Sequence, residues 1–518
     1  MRKLPFLWLA LVLAGWSCSE SPQRPDGGTP GPDRGAADQR AAADLVPGAD
    51  APPPADRGPG ADGAPDRAPA PDAPPPSDRG APADRGPDLV PPSDLPLSPD
   101  SACSSSAKTW RLAAGGSDLD WARDVAVDSA GNSHITGYFK GRASFGSVTL
   151  SSAGGLDAFV AKVDASGKVL WAVAGSGSST VEGTDIAVDS AGNVYITGFY
   201  SGKVSFGSVT LSTSNARDIF VAKANASGKF LWAQSTLGAA LDITSAIAVD
   251  SAGQATIASF MTARVSKDGK SWVWTNHGGG TAFDVTVDAA GNTYVTGTFK
   301  GVASFGTSTF TAFGKGDVFV ARLDTLGRYT RGTVAPGAGF GDTAIGYALA
   351  QDGTGGLYVT GSYAGSYRFG STTLKSLGSA GASDLFVTRL DSAGRFLWAV
   401  SGGGTGADDG AAVAADGSGC VATGSFSGSA GLGGFSLHAN GSKPDIWVAR
   451  LGRAGGVHWA TRAGGSDADS GQGLALDRAG NSQLVGAFSG TAAFGSNSLS
   501  SSGGFDAFLV RINACGKF

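Results

Sequence analysis

The chain has 518 residues, 82 of them glycine, with four cysteines, four histidines and a formal charge of −5 at neutral pH. Twenty-two of its 24 prolines precede residue 101, so composition divides the chain before any motif is read. Between residues 20 and 100, fourteen Asp and Glu20 outweigh seven Arg, which leaves the remainder almost neutral. A near-neutral domain lacks the clustered basic face that nucleic acid requires, and that partner class is excluded.

Arg2 and Lys3 make a basic start, and Leu4 to Gly15 form an apolar run too short to span a bilayer comfortably. The run ends at Ser17-Cys18, followed by the polar Ser19-Glu20-Ser21. This layout resembles a bacterial lipoprotein signal peptide. The resemblance implies removal of residues 1–17, acylation of Cys18, and an outer-membrane or cell-surface location, with ordinary secretion as the other outcome. Residues 18–103 are built of Pro, Ala, Asp, Gly and Arg, in units such as Asp56-Arg57-Gly58 and Asp84-Arg85-Gly86. Large apolar side chains are almost absent, so burial cannot offset the entropy of ordering. The expectation is a disordered, lipid-anchored linker whose prolines keep it extended. The lipid would be its sole contact with the membrane.

Residues 104–518 read as all-β, because β-branched and aromatic residues come in short runs between Gly/Asp/Asn turns. The runs repeat. NSHITGYF (Asn132–Phe139), NVYITGFY (Asn193–Tyr200), ATIASF (Ala255–Phe260), NTYVTGTF (Asn292–Phe299), LYVTGSY (Leu357–Tyr363), CVATGSF (Cys420–Phe426) and SQLVGAF (Ser482–Phe488) are successive copies. Their spacing is 61 to 64 residues, except for one interval of 38 that lacks the Phe-Gly segment seen at Phe145-Gly146 and Phe206-Gly207. Each copy holds four strands. In the first, these are Asp124–Asp128, Ser133–Phe139, Ala158–Val163 and Val169–Ala172, joined by turns at Ser129–Asn132 and Asp164–Gly167. Runs such as Ala158-Phe159-Val160-Ala161 do not alternate, which predicts strands buried on both faces.

The motifs D-x-A-G-N-x-x-x-T-G, F-G-S-x-x-L, D-A-F-V-A-K-x-D and G-K-x-L-W-A resemble the repeat family known as SBBP. The resemblance implies a seven-bladed β-propeller in a surface setting and names no reaction. Departures are the short copy, the segment Arg328–Val334 without its Trp, and Leu432-Gly433-Gly434 in place of Phe-Gly. The last copy stops at Cys515-Gly516-Lys517-Phe518, where its fourth strand should begin. That strand stands instead at Lys108–Ala113, with Trp110 in the slot of Trp171, Trp232, Trp398 and Trp459, and is expected to close the ring. Cys103 and Cys515 then flank the seam and are expected to form a disulfide. Cys420 takes the slot of Val194 and reads as a buried thiol.

Catalytic and metal signatures are sparse: the sequence has no HExxH, CxxC or P-loop, and no convincing serine triad. His134 takes the slot of Tyr195, Tyr294 and Tyr358, a packing position. The Asp128–Asn132 turns offer too few ligands for calcium. No metal or cofactor is expected. One constellation stands out, a rim of acids in the loops that enter each first strand. These are Asp118, Asp120, Glu182, Asp242, Asp342, Asp408, Asp409, Asp467 and Asp469. They could attract a cation, a basic partner or a glycan, or simply bond backbone amides in Gly-rich turns. The expectation is a monomeric, surface-displayed, non-catalytic module that binds protein or glycan. The alternative is a polysaccharide hydrolase or lyase that uses paired rim acids.

Overall fold

The computed structural model describes residues 108–236, 246–378 and 381–518. The expected signal peptide, linker, Cys18, Cys103 and Asp242 lie outside them. The described residues form antiparallel strands joined by turns, with no helix among them. In the first unit Asp120–Val127, Ser133–Phe145, Val148–Val163 and Val169–Gly177 pair in chain order. The same order recurs from Val181–Val188 to Phe230–Ser235. It recurs again from Ala246–Val249 to Trp272–Asn276 and from Thr281–Val287 to Tyr329–Ala335. Two further units run from Thr343–Gln351 to Phe396–Gly404 and from Ala412–Asp416 to Val457–Gly465. The final three-stranded run, Asp469–Leu476, Ser482–Phe494 and Asn497–Ile512, is joined by Trp110–Gly115 from the start of the domain.

Turn chemistry explains where the strands stop. Asp128 Oδ1 accepts the N–H groups of Ala130 and Asn132 at 3.0 and 2.9 Å, and Gly131 sits at φ 81°. That left-handed position is one glycine adopts at little cost. The other oxygen of Asp128 meets His134 and Lys162 at 3.2 and 3.1 Å, so this carboxylate is used within its own unit.

Two strands are longer than expected. The second and third continue through the Phe-Gly segment as a hairpin, with Arg142 opposite Ser151 and Phe145 opposite Val148. The hairpin tip does not stay with its own unit. In the second unit Val204–Phe206 pairs with Gly175–Gly177, the end of the preceding fourth strand. Phe145 likewise opposes Ala114, and Leu432 opposes Gly402. The short unit replaces the hairpin with a turn in which the N–H of Ser259 bonds the carbonyl of Met261 at 2.8 Å.

The core lies between units rather than inside them. Ala158 and Val160 pack on Val181, Ile196 and Phe206 of the second unit, while Phe159 and Ala161 face Val485 and Leu509 of the last. Non-alternating strands therefore bury both faces. First strands also pack side by side in chain order, and Asp120–Val127 touches Asp469–Leu476.

Candidate functional site

Each first strand begins, and each fourth strand ends, on the same side of the units, and the rim loops connect them there. The acids expected at that rim have separate fates. Asp342 accepts the N–H groups of Ala338, Gly339 and Ser366 at 3.0, 2.8 and 3.2 Å. Asp408 accepts those of Gly404 and Ser427 at 2.9 and 3.0 Å, and Asp409 that of Ser425 at 3.0 Å. Asp120 and Asp469, each 1% exposed, accept Gly116 and Gly465 at 2.7 Å. Glu182 pairs with Arg217 at 2.8 Å, and that guanidinium also covers the ring of Phe199. Asp118 and Asp467 are the exposed ones. Five of these carboxyls thus hold the Gly-rich loops in shape by bonding backbone.

A second set of residues escaped the sequence reading. Five first strands carry one extra residue, at Arg123, Thr184, Phe283, Tyr347 and Gln472, whereas Ala246–Val249 and Ala412–Asp416 pair without one. A bulge of this kind re-aims one side chain. The re-aimed groups meet across units: Arg123 Nη1 donates to Gln472 Oε1 at 3.1 Å, and Phe283 meets Tyr347 edge-on at 5.5 Å. Beside them Asp124 and Asp185 hold the next unit's first strand, through the N–H groups of Ile186 and Ile247 at 3.3 and 2.6 Å. Asp284 holds Leu349 in the same way at 2.7 Å. Burial raises all three carboxyls above the ordinary range, and mutual repulsion with Asp185 adds to it for Asp124 and Asp284. The sequence signal was a small residue before the bulge, as in Ala122-Arg123-Asp124 and Ala282-Phe283-Asp284.

The rim also carries an apolar feature that composition hides. Phe340, 85% exposed, stands at the tip of Gly339-Phe340-Gly341 and contacts Phe313 with ring centres 5.0 Å apart. Leu377, 70% exposed, lies on the same side. Cys420 is a buried free thiol, and burial raises it well above the usual range. Among the described residues no group of three or more His, Cys, Asp or Glu could hold a metal ion.

Residues 173–198 match the family model of the beta-propeller repeat SBBP. That stretch spans the end of one fourth strand and the first two strands of the next unit. No curated protein matches the chain. Among solved structures it is similar to the WD40 domain of Neurospora crassa Pan2, at 11% identity over 75% of this chain and 88% of that one, TM-score 0.40. A chain of the mitotic checkpoint complex aligns at 11% identity over 84% and 97%, TM-score 0.41. Quinohemoprotein alcohol dehydrogenase from Comamonas testosteroni aligns at 10% identity over 79% and 76%, TM-score 0.35. The repeat match and the recurring four-stranded units, stacked through buried faces, give this domain an all-β propeller fold.

Proposed function

We propose that the chain is an extracytoplasmic, non-catalytic binding module, a seven-bladed propeller displayed from an acylated Cys18 on the linker of residues 18–103. Pairing of Trp110–Gly115 with the last third strand supports closure of the ring by the N-terminal strand. The position of Cys515, in the turn beside that strand, supports a lock with Cys103. The observation that carries the binding reading is the Phe313–Phe340 pair, an exposed apolar contact on the loop side of the units. Exposed aromatic anchors of this kind are what protein partners bury. The engagement of rim acids with backbone weighs against the hydrolase or lyase alternative, which needs two carboxyls free to face a substrate.

A photo-crosslinking residue at position 340 should give one discrete protein adduct in cells, competed by the purified chain but not by its Phe340→Asp variant. The same residue at Leu326, 63% exposed and in a turn on the opposite side, should give none. Equal labelling at both positions would sink the docking site. A glycan reading rests on the guanidinium, amide and aromatic groups at Arg123, Gln472, Phe283 and Tyr347, and a glycan array that binds the chain with unchanged Phe340→Asp affinity would favour it. Display from the membrane requires Cys18→Ala to move the protein out of the membrane fraction; retention there would refute the lipid anchor.

A further inference from the structure

Three seams between units share one arrangement of carboxyls. The third strands of the last three units carry Asp384, Asp445 and Asp506 at equivalent positions, each 2% exposed or less. In two other units the equivalent acid bonds a glycine N–H at the end of the fourth strand. Asp157 Oδ1 accepts Gly177, and Asp317 Oδ1 accepts Gly337, both at 3.1 Å. In the three seams another acid, four residues after that glycine, takes the N–H instead. Gly404 donates to Asp408 at 2.9 Å, and Gly465 and Gly116 donate to Asp469 and Asp120 at 2.7 Å.

The displaced Oδ1 atoms of Asp384, Asp445 and Asp506 are buried with no hydrogen-bond donor. They face the acids that displaced them. The space a Cβ on Gly115 would fill is bounded by Asp506 Oδ1 at 2.8 Å and Asp120 Oδ2 at 2.9 Å. At Gly403 the neighbours are Asp384 Oδ1 at 2.7 Å and Asp408 Oδ2 at 2.9 Å, and at Gly464 Asp445 Oδ1 at 2.6 Å and Asp469 Oδ2 at 2.9 Å. Only glycine leaves room for both carboxyls at these points.

A buried carboxylate oxygen without a donor is costly, and two facing buried carboxylates resist joint ionisation. The orphaned oxygens are closed to water, which leaves room for a proton and none for a hydrated cation. We propose that each pair, Asp120–Asp506, Asp408–Asp384 and Asp469–Asp445, holds a single proton between its two carboxyls, so that three seams form a pH-responsive latch. The proton is covalent to one oxygen and hydrogen-bonded to the other. Its release to solvent leaves two carboxylates that repel across the seam.

Neighbouring charges set the response. Asp118 and Asp467 add negative charge beside Asp120 and Asp469, and Asp409 lies beside Asp408. Arg462 offsets this at one seam by pairing with Asp445 Oδ2 at 3.0 Å. Burial is the largest influence in every pair, and pushes Asp120 and Asp469 up to about 7 and Asp408 to about 6. Values above the ordinary 3.8 mean that the folded state binds more protons than the unfolded state across this interval. The stabilisation is therefore complete below about pH 4 and is lost as pH rises through about 6 to 7.

The test is the melting temperature of the full chain from about pH 4 to about pH 8, with and without millimolar calcium. The triple variant Asp120→Asn, Asp408→Asn, Asp469→Asn keeps the size of each side chain and removes one titrating carboxyl from every pair, so no proton is shared. The wild type should lose several degrees over this range, and the variant should lose clearly less. Infrared spectra at neutral pH should show a protonated-carboxyl C=O band that the variant reduces. If the amide variant misfolds, valine at the three positions reproduces the natural Val181 and returns each glycine N–H to the third-strand acid. An unchanged pH slope in whichever variant folds would overturn the latch. A calcium-dependent rise in wild-type melting temperature, lost in that variant, would overturn it in favour of a cation site.

Discussion

Trp171 rests its indole on Gly228 of the following unit and donates its Nε1–H to the carbonyl of Ala226 at 3.1 Å. Trp110, Trp232, Trp398 and Trp459 do the same to Ala165, Lys267, Arg453 and Ala514 at 2.9 to 3.1 Å. The equivalence of these five was legible in the sequence, because four follow a Gly-Lys or similar turn by the same interval and Trp110 supplies the strand missing after Gly516-Lys517. Two occupants were not. Trp274 of the short unit lies on Gly327, and Arg331 takes the slot in the Trp-less segment and reaches the carbonyl of Ser392 at 3.1 Å. An arginine there mimics a tryptophan, since both present a flat N–H donor to the next turn. The glycine under each ring is required twice, by its backbone and by the contact. Gly228 sits at φ +84°, and a Cβ there would stand 2.9 Å from Trp171. Gly353 has φ +72° with open space around it. Replacement by Ala should cost about 1–2 kcal/mol at Gly353 from backbone strain alone, and more at Gly228. Thermal unfolding of both variants checks this; equal losses would mean that the indole stacking contributes nothing.

At the scale of strands, local pattern served well where the cause was local. The Asp-to-Asn turns, the glycine at their left-handed position and the four strands of each unit follow from a few contiguous residues. Burial of both faces was legible for the same reason, because Ala158-Phe159-Val160-Ala161 leaves no polar face. Pairings between repeats were not legible. The Phe-Gly segment recurs in most copies, but nothing in its pattern indicates that its hairpin adds to the outer strand of the preceding unit. Phe206 drives that docking by burying its ring against Phe220 and Phe230, at 4.7 and 5.2 Å, and Gly175 leaves the space it enters. Period-2 alternation carries no information about which distant edge a hairpin will meet. The rim acids show the same limit. Their positions were readable, but Asp120 finds its partner Asp506 at the other end of the domain, and the bulges that aim Arg123 and Tyr347 depend on one residue of register.

At the scale of the whole domain, stability depends on how the two ends meet. Trp110–Ala114 pairs residue for residue with Ala507–Arg511, and Ala114 and Gly115 continue onto Phe145 and Ser144 of the first unit. One short strand thus ties the last unit to the first. Trp110 and Leu112 pack on the buried cluster that includes Val485, Leu509 and Phe145. Deleting residues 104–114 would remove both ladders and expose that cluster. Truncating a fully buried Trp costs about 3–5 kcal/mol, and the partly buried Trp110 falls toward the lower end. Even so, the loss is a large share of the ~5–15 kcal/mol that holds a domain folded. A Cys103–Cys515 bond would close a loop of about 400 residues, worth roughly 5 kcal/mol in the chain-entropy picture. Mass spectrometry of non-reduced peptides from the native protein should find that cross-link, and reduction should lower the melting temperature. Free thiols at both positions would refute the lock while leaving the strand pairing intact. A deletion of 104–114 with unchanged melting temperature would refute closure by the N-terminal strand, because no other element then contributes the edge partner of Asn497–Ile512.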